Sequence, residues 1–128
     1  MNIQHSGSIK ELKAFERFYR KKNIFLITGK SSFAQSGAEE IISEILKFEN
    51  VTHFNNFTIN PKIEDAVSGA KLARETKTEL IIAIGGGSVI DIAKLVKAFC
   101  FNTGKEIDLT KGKETLNDPE IDLIAIPT

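Results

Sequence analysis

The sequence lacks the features typical of secreted and membrane proteins. Cys100 is the only cysteine among 128 residues, so no internal disulfide can form, which is compatible with a reducing compartment. The longest apolar run, Leu80 to Ile84, is far too short to cross a membrane. The N-terminus has no apolar stretch of the kind found in signal peptides. We therefore expect a cytoplasmic protein with no membrane partner.

Neither sign of charge is in excess. Lys plus Arg and Asp plus Glu number 17 each, which gives a formal net charge of zero. A protein that binds nucleic acid through its phosphates should carry a basic excess or a basic stripe. The nearest candidate is the group Arg17, Arg20, Lys21 and Lys22, at the predicted end of a helix, where cations suit the helix dipole. We therefore expect no nucleic-acid partner.

The pattern of apolar residues predicts one α/β domain. Hydrophobic residues make up 41% of the chain and charged residues 27%, close to the averages of a soluble globular domain. Short apolar runs alternate with segments of helical periodicity, as in a sheet of parallel strands connected by helices. Phe99, Cys100 and Phe101 resemble the apolar end of a helix, so we expect a buried, unreactive thiol. The predicted strands are 24–28, 52–57, 79–84 and 121–126; the predicted helices are 9–19, 38–48, 61–76 and 89–101; a polar surface loop is predicted at 102–117.

The end of the sequence suggests a part of a longer protein. The last predicted strand is followed at once by Pro127 and Thr128. Chains usually end on a surface segment with few contacts, not on a strand that has just left the sheet. We therefore expect residues 1–128 to be one domain, truncated at Thr128.

Three consecutive glycines and a serine lie between the clearest predicted strand and a helix, at Gly85, Gly86, Gly87 and Ser88. Glycines allow a tight turn and let an anion approach backbone N–H groups, and the helix N-terminus adds free donors and partial positive charge. Ser88 could cap the helix or donate to a phosphate oxygen. The alternative is a tight turn with no ligand. Each glycine costs about 0.5–1 kcal/mol of conformational entropy, so three of them favour an anion site.

The glycine turn matches neither common phosphate fingerprint. Val89 and Ile90 leave no third spaced glycine for G-x-G-x-x-G, and Ile24 occupies the position where a Walker A loop ending at Lys30 would need glycine. Asp91 and Lys94 lie three residues apart in the following helix and share a face. Asp91 suits the helix N-terminus, whereas Lys94 there indicates either an anionic ligand or a surface ion pair.

The segment from Ile84 to Lys94 resembles the GGGS-x-x-D-x-A-K signature of the iron-containing alcohol dehydrogenases. The pair Asn60-Pro61 resembles the N-P element of that family, and the end of the chain at Thr128 resembles the start of its P-T-T-x-G-T-G-S-E segment. The turn from Thr28 to Ser32 resembles a variant of its first strand-turn-helix. The resemblance covers essentially the whole chain.

The resemblance implies a Rossmann-like three-layer sandwich with a mainly parallel sheet, which serves as the NAD(P)-binding N-terminal domain. The helical C-terminal domain of the family, which holds iron or sometimes zinc, would be absent, so His5 and His53 are interpreted as ordinary histidines. The full-length protein would transfer hydride between NAD(P) and an alcohol or aldehyde, with a homodimer as one expected assembly, and the isolated chain would be inactive. Two alternatives stay open: a non-catalytic nucleotide- or phosphate-binding module, and the equivalent domain of a glycerol dehydrogenase or dehydroquinate synthase.

The resemblance also suggests which cofactor is bound. NAD-preferring members often carry Asp directly after the Thr that ends the first strand, where it binds the ribose hydroxyls and repels a 2′-phosphate. Gly29 holds that position here, so NADP is slightly favoured over NAD, although a solvated turn with a serine cap is an equal alternative. The full set of expected cofactor-binding residues is Gly29, Lys30, Ser31, Ser32, Asn60, Pro61, Gly85, Gly86, Gly87, Ser88, Asp91, Lys94 and Thr128.

Overall fold

The computed structural model describes residues 2–4, 12, 16–30, 37–57, 63–100 and 121–127. These residues form a five-stranded sheet in the order β1-β5-β4-β2-β3, in which every neighbouring pair is parallel. The strands are β1 (Asn2–Gln4), β2 (Asn23–Thr28), β3 (Asn50–Phe54), β4 (Leu80–Gly85) and β5 (Asp122–Pro127), and the helices are α1 (Glu16–Tyr19), α2 (Ala38–Ile45), α3 (Ile63–Glu75) and α4 (Gly87–Cys100).

Helices cover both faces of the sheet. Successive side chains of a strand point to opposite faces, so Phe25 and Ile27 pack with α3 and α4, whereas Ile24 and Leu26 pack with α1 and α2. All six residues of β4 are buried, as expected of a central parallel strand covered on both sides. The arrangement confirms the predicted α/β, Rossmann-like three-layer sandwich.

The strand predictions were correct in the centre of the sheet and wrong at its edges. β2 and β4 lie within one residue of the predicted bounds. β3 begins at Asn50 instead of residue 52 and ends at Phe54 instead of 57; its first residue pairs with Asn23, and the Asn50 side-chain amide donates to Asn23 Oδ1 at 2.8 Å. β1 was not predicted, because its three residues gain strand structure only by pairing with β5 at the far end of the chain.

The helix predictions erred at the ends. α2 ends at Ile45, not residue 48, because Leu46 leaves helical geometry with φ −103° and ψ 15°. α4 begins at Gly87, two residues earlier than predicted. Of the predicted helix 9–19, the described part is α1 and a buried turn residue, Leu12. The predicted loop 102–117 and residues 61–62 of the third predicted helix lie outside the described residues.

One smaller prediction, the burial of Cys100, is confirmed. Cys100 is buried, and burial raises the pKa of its thiol to about 11. In the basic group at the end of α1, Arg20 lies 3.9 Å from Glu16 and Lys22 lies 3.5 Å from Asp122. None of the helices in the described part of the chain is both long and apolar enough to span a membrane.

The chain reverses its direction across the sheet between β2 and β4. The chain leaves β2 through α2 toward β3 on one side, and leaves β4 through α4 toward β5 on the other. Because β2 and β4 are neighbours and α2 and α4 cover opposite faces, the carboxyl ends of these two strands form a topological switch point. Such a topological switch point is where open α/β sheets bind ligands.

Candidate functional site

The first turn of the candidate site, between β4 and α4, begins with Gly85, whose backbone conformation favours glycine. Gly85 is the last residue of β4 and has φ +152°, a conformation that residues with a side chain rarely adopt. A Cβ at Gly85 would lie 2.7 Å from Val89 Cγ2. Gly85 therefore brings the first turn of α4 close to the end of β4, and this role is structural.

Gly86 and Gly87 are different, because nothing lies within 4 Å of a Cβ built at either position. Both residues are exposed. The Gly86 carbonyl accepts from the N–H groups of Val89 at 3.1 Å and Ile90 at 3.2 Å, so Gly86 caps α4. Within the described residues, the N–H groups of Gly87 and Ser88 have no backbone acceptor, as is usual in a first helical turn. The turn thus presents two free donors at an open surface.

Ser88 lies inside the first turn of α4 and does not occupy the cap position that sequence reasoning considered for it. Its side chain is exposed beside the free N–H groups. Asp91 and Lys94 follow on the same helix, and both are exposed. Across the described residues no salt bridge involves Asp91 or Lys94, so the ion pair considered for Lys94 is not formed.

The second turn of the site follows β2. Thr28, the last residue of β2, is aligned with Ile84 of β4, so Gly29 and Lys30 leave the sheet beside the start of the glycine turn. Neighbouring strands lie about 4.8 Å apart, so the two turns lie side by side at the switch point. Lys30 is exposed. Ser31, Ser32, Asn60, Pro61 and Thr128, which were also predicted to bind the cofactor, lie outside the described residues.

Sequence reasoning missed a hydrogen-bonded pair beside this second turn. His53 Nε2 lies 2.7 Å from the Thr28 hydroxyl, which donates to the Gly29 carbonyl at 3.0 Å. Burial lowers the pKa of His53, and the negative charge of Glu39 acts in the opposite direction. No local motif indicates this contact, because it depends on the alignment of β3 beside β2.

No metal site is formed by the described part of the chain. No group of three or more His, Cys, Asp or Glu side chains in these residues could hold a metal ion. Oxygen, nitrogen and sulfur side chains of this kind supply the usual protein ligands to iron and zinc. The residues placed here therefore do not fit a catalytic metal.

The fold and the two turns define the class of the protein. A parallel sheet with helices on both faces, a glycine-bearing strand-to-helix turn and a second turn at the switch point are the arrangement of a doubly wound α/β fold, which binds ligands at the carboxyl ends of its strands. The sequence model of the family described as iron-containing alcohol dehydrogenase matches residues 1–128. The chain belongs to the iron-containing alcohol dehydrogenase family.

The chain is similar to several alcohol dehydrogenases of known sequence. It is 35% identical over 104 residues to the long-chain primary alcohol dehydrogenase AdhA of Thermoanaerobacter ethanolicus, covering 77% of this chain and 26% of that protein. It is 32% identical over 115 residues to the probable NADH-dependent butanol dehydrogenase 2 of Bacillus subtilis, covering 88% and 29%. The chain therefore spans between a quarter and a third of the length of these relatives.

The relatives include alcohol dehydrogenases that are named for different cofactors. One is an NADP-dependent alcohol dehydrogenase of Entamoeba histolytica, 30% identical over 73% of this chain and 24% of that protein. Among solved structures, the NADH-dependent butanol dehydrogenase A of Thermotoga maritima has a TM-score of 0.82 at 22% identity, over 99% of this chain and 32% of that one. The sulfoacetaldehyde reductase of Bifidobacterium kashiwanohense in complex with NAD+ has a TM-score of 0.79 at 23% identity, over 99% and 34%.

Proposed function

We propose that this chain is the dinucleotide-binding domain of an NAD(P)-linked alcohol dehydrogenase. In this proposal the pyrophosphate binds at Gly86, Gly87 and Ser88, and the adenosine ribose binds at Gly29 and Lys30. Asp91 and Lys94 border the phosphate site. Ser31, Ser32, Asn60, Pro61 and Thr128 are proposed as further contacts on the basis of the family resemblance.

One observation carries the proposal: two turns meet at the switch point, and one of them has open space over Gly86 and Gly87. The free N–H groups of Gly87 and Ser88 lie at the same place, at the positive end of α4. Backbone donors at a helix N-terminus form a preorganised anion site. A tight turn without a ligand would need only the glycine at Gly85, where the backbone conformation demands it.

We infer that the full-length protein transfers hydride between the nicotinamide and a small alcohol or aldehyde. The relatives support this substrate class by their names. The family name implies a metal, and we expect its ligands outside the described residues, since these hold no suitable cluster. We further expect the 128-residue chain by itself to show no turnover with NAD(P) and short alcohols or aldehydes, because the described residues offer no metal site. Turnover by the pure chain in a steady-state assay would contradict this expectation.

We propose that NADP is accepted at least as well as NAD. The turn after β2 carries no carboxylate at Gly29 or Lys30, and the exposed lysine supplies positive charge for a 2′-phosphate. Gly29→Asp should shift preference toward NAD, because a carboxylate repels the phosphate and accepts from ribose hydroxyls. The measurement is the ratio of kcat/KM for NADP and NAD. A strong NAD preference in the wild type, unchanged by Gly29→Asp, would show that this turn does not contact the 2′ position of the adenosine ribose.

The test of cofactor binding uses isothermal titration calorimetry of the full-length protein with NAD+ and NADP+. Gly87→Val should weaken both by at least about tenfold, equivalent to 1.4 kcal/mol, because the branched side chain fills the space left for the pyrophosphate. Ser68→Val is the matched control, since it places the same side chain on an exposed position of α3. Equal affinity in a folded Gly87→Val protein would refute the phosphate role of the turn.

A further inference from the structure

The contact between His53 and Thr28 is compatible with one continuous set of hydrogen bonds. The Thr28 hydroxyl has one hydrogen, and it lies in position to donate this hydrogen to the Gly29 carbonyl at 3.0 Å. In the tautomer of His53 that carries its hydrogen on Nε2, the Thr28 oxygen accepts from Nε2 at 2.7 Å, and our inference rests on this tautomer. The His53 imidazole on β3, the hydroxyl of the completely buried Thr28 and the Gly29 carbonyl thus form a chain of two hydrogen bonds, which we call the relay.

The sheet brings the two side chains of the relay together. His53 is aligned with Leu26 of β2, and Thr28 lies two residues further along the same strand, so both side chains project from the face that α2 covers. Side chains on such a diagonal are within reach of each other. Glu39, in the first turn of α2, contributes the charge that acts on the imidazole. The relay therefore fixes the turn from the side opposite to the glycine turn of α4.

The relay controls the orientation of one peptide group. The C=O of Gly29 and the N–H of Lys30 belong to a single planar trans peptide and point in opposite directions. With the carbonyl held on the Thr28 hydroxyl, the N–H of Lys30 is turned away from β2. Glycine rotates with little steric restriction, so without the hydrogen bond this peptide could flip and present its carbonyl instead.

We propose that His53 is a positioning residue for cofactor choice: through the Thr28 hydroxyl it holds the Gly29–Lys30 peptide with its N–H available to a 2′-phosphate. The inference rests on the proposed function of this turn as the site of the adenosine ribose. An N–H donates to the phosphate of NADP, whereas a flipped peptide would present a carbonyl oxygen that repels it. The 2′-hydroxyl of NAD can donate to a carbonyl, so NAD binding is largely insensitive to the flip.

The experiment measures Kd for NADP+ and NAD+ by calorimetry on the full-length protein at pH 7.5. Thr28→Val keeps the branched shape and removes the hydroxyl, and His53→Leu removes the donor from a side chain that is already exposed. Both should weaken NADP+ about five- to tenfold, as expected for one lost hydrogen bond and a misplaced dipole, and leave NAD+ within about twofold. Thr28→Ser and His53→Gln keep the hydroxyl and an amide donor, so both should restore the wild-type ratio.

The outcomes separate this inference from the function on which it rests. A purely structural role would weaken both cofactors equally and would lower thermal stability with them, so an unchanged ratio in Thr28→Val and His53→Leu overturns the relay alone. Should Thr28→Val fail to fold, the two His53 variants decide the matter. Absence of binding of either cofactor to the wild-type protein would overturn the proposed function and the relay together. A selective loss for NADP+ that Ser and Gln rescue supports both.

Discussion

Alanine substitutions at two glycines of the same turn, Gly85 and Gly87, should change the free energy of unfolding in opposite directions. At Gly85 the new Cβ meets Val89 Cγ2 at 2.7 Å, and the backbone has φ +152°. A non-glycine residue in such a conformation costs about 1–3 kcal/mol, and the steric conflict adds about 1–3 kcal/mol. At Gly87 the new Cβ meets nothing within 4 Å, and alanine replaces glycine in a helix. Gly87→Ala should therefore stabilise the fold, by up to about 0.5–1 kcal/mol.

The effect of Gly87→Ala on cofactor affinity should be opposite to its effect on stability. Gly87→Ala places a methyl group where the proposed pyrophosphate approaches the backbone, so it should weaken NAD+ and NADP+ about three- to tenfold while folding improves. The assay combines urea denaturation, for the free energy of unfolding, with calorimetry, for Kd. Tighter or equal binding in the stabilised Gly87→Ala protein would refute the phosphate site. A Gly85→Ala protein as stable as the wild type would refute the account of strain at the end of β4.

Three further predictions concern the core and the edge of the sheet. Gly69→Ala should destabilise the domain by about 1–2 kcal/mol in urea denaturation, because the new Cβ would lie 2.9 Å from Val96 Cγ2 and 3.0 Å from Phe54 Cε2. This steric conflict outweighs the helical preference for alanine, so a more stable variant would show that α3 and α4 have room to separate. Cys100 should react with iodoacetamide at pH 8 far more slowly in the native chain than in urea, because burial raises its pKa to about 11; equal rates would contradict its burial. Because the pKa of His53 is lowered in the folded chain, the unfolded chain binds more protons, so the contribution of His53 to stability is complete above about pH 6.5 and is lost as pH falls through the folded pKa. His53→Gln should therefore reduce the pH dependence of the free energy of unfolding, measured by urea denaturation, in that pH range. An unchanged pH dependence would exclude this linkage.

The centre of the fold was predictable because its signals are local. A continuous apolar run such as Leu80 to Ile84 needs burial on both faces wherever it lies in the sheet. The helix periodicity over α4 likewise matches its buried residues Ile92, Val96 and Phe99. The α/β class and the order of its main elements follow from such runs alone, and the glycine turn follows from its position between two of them.

What the sequence could not show depends on contacts between distant segments. β1 exists only through its pairing with β5, and the pairing of Asn50 with Asn23 determines where β3 begins. The relay from His53 to Thr28 depends on the same register. Three adjacent glycines also look equivalent in a sequence, although the structure requires only Gly85 for its backbone conformation and leaves open space at the other two.

The two halves of the candidate site differ in how strongly the fold constrains them. The glycine turn continues from β4, whose residues are all buried, so changes there act on the centre of the sheet. The turn at Gly29 lies between β2 and the edge strand β3, of which only Phe54 is fully buried. Substitutions at this edge displace little packed volume and should cost little folding free energy. On the proposed function, a family with this sheet can keep the pyrophosphate site at the glycine turn and still change its preference between NAD and NADP, in agreement with relatives named NADH-dependent and NADP-dependent.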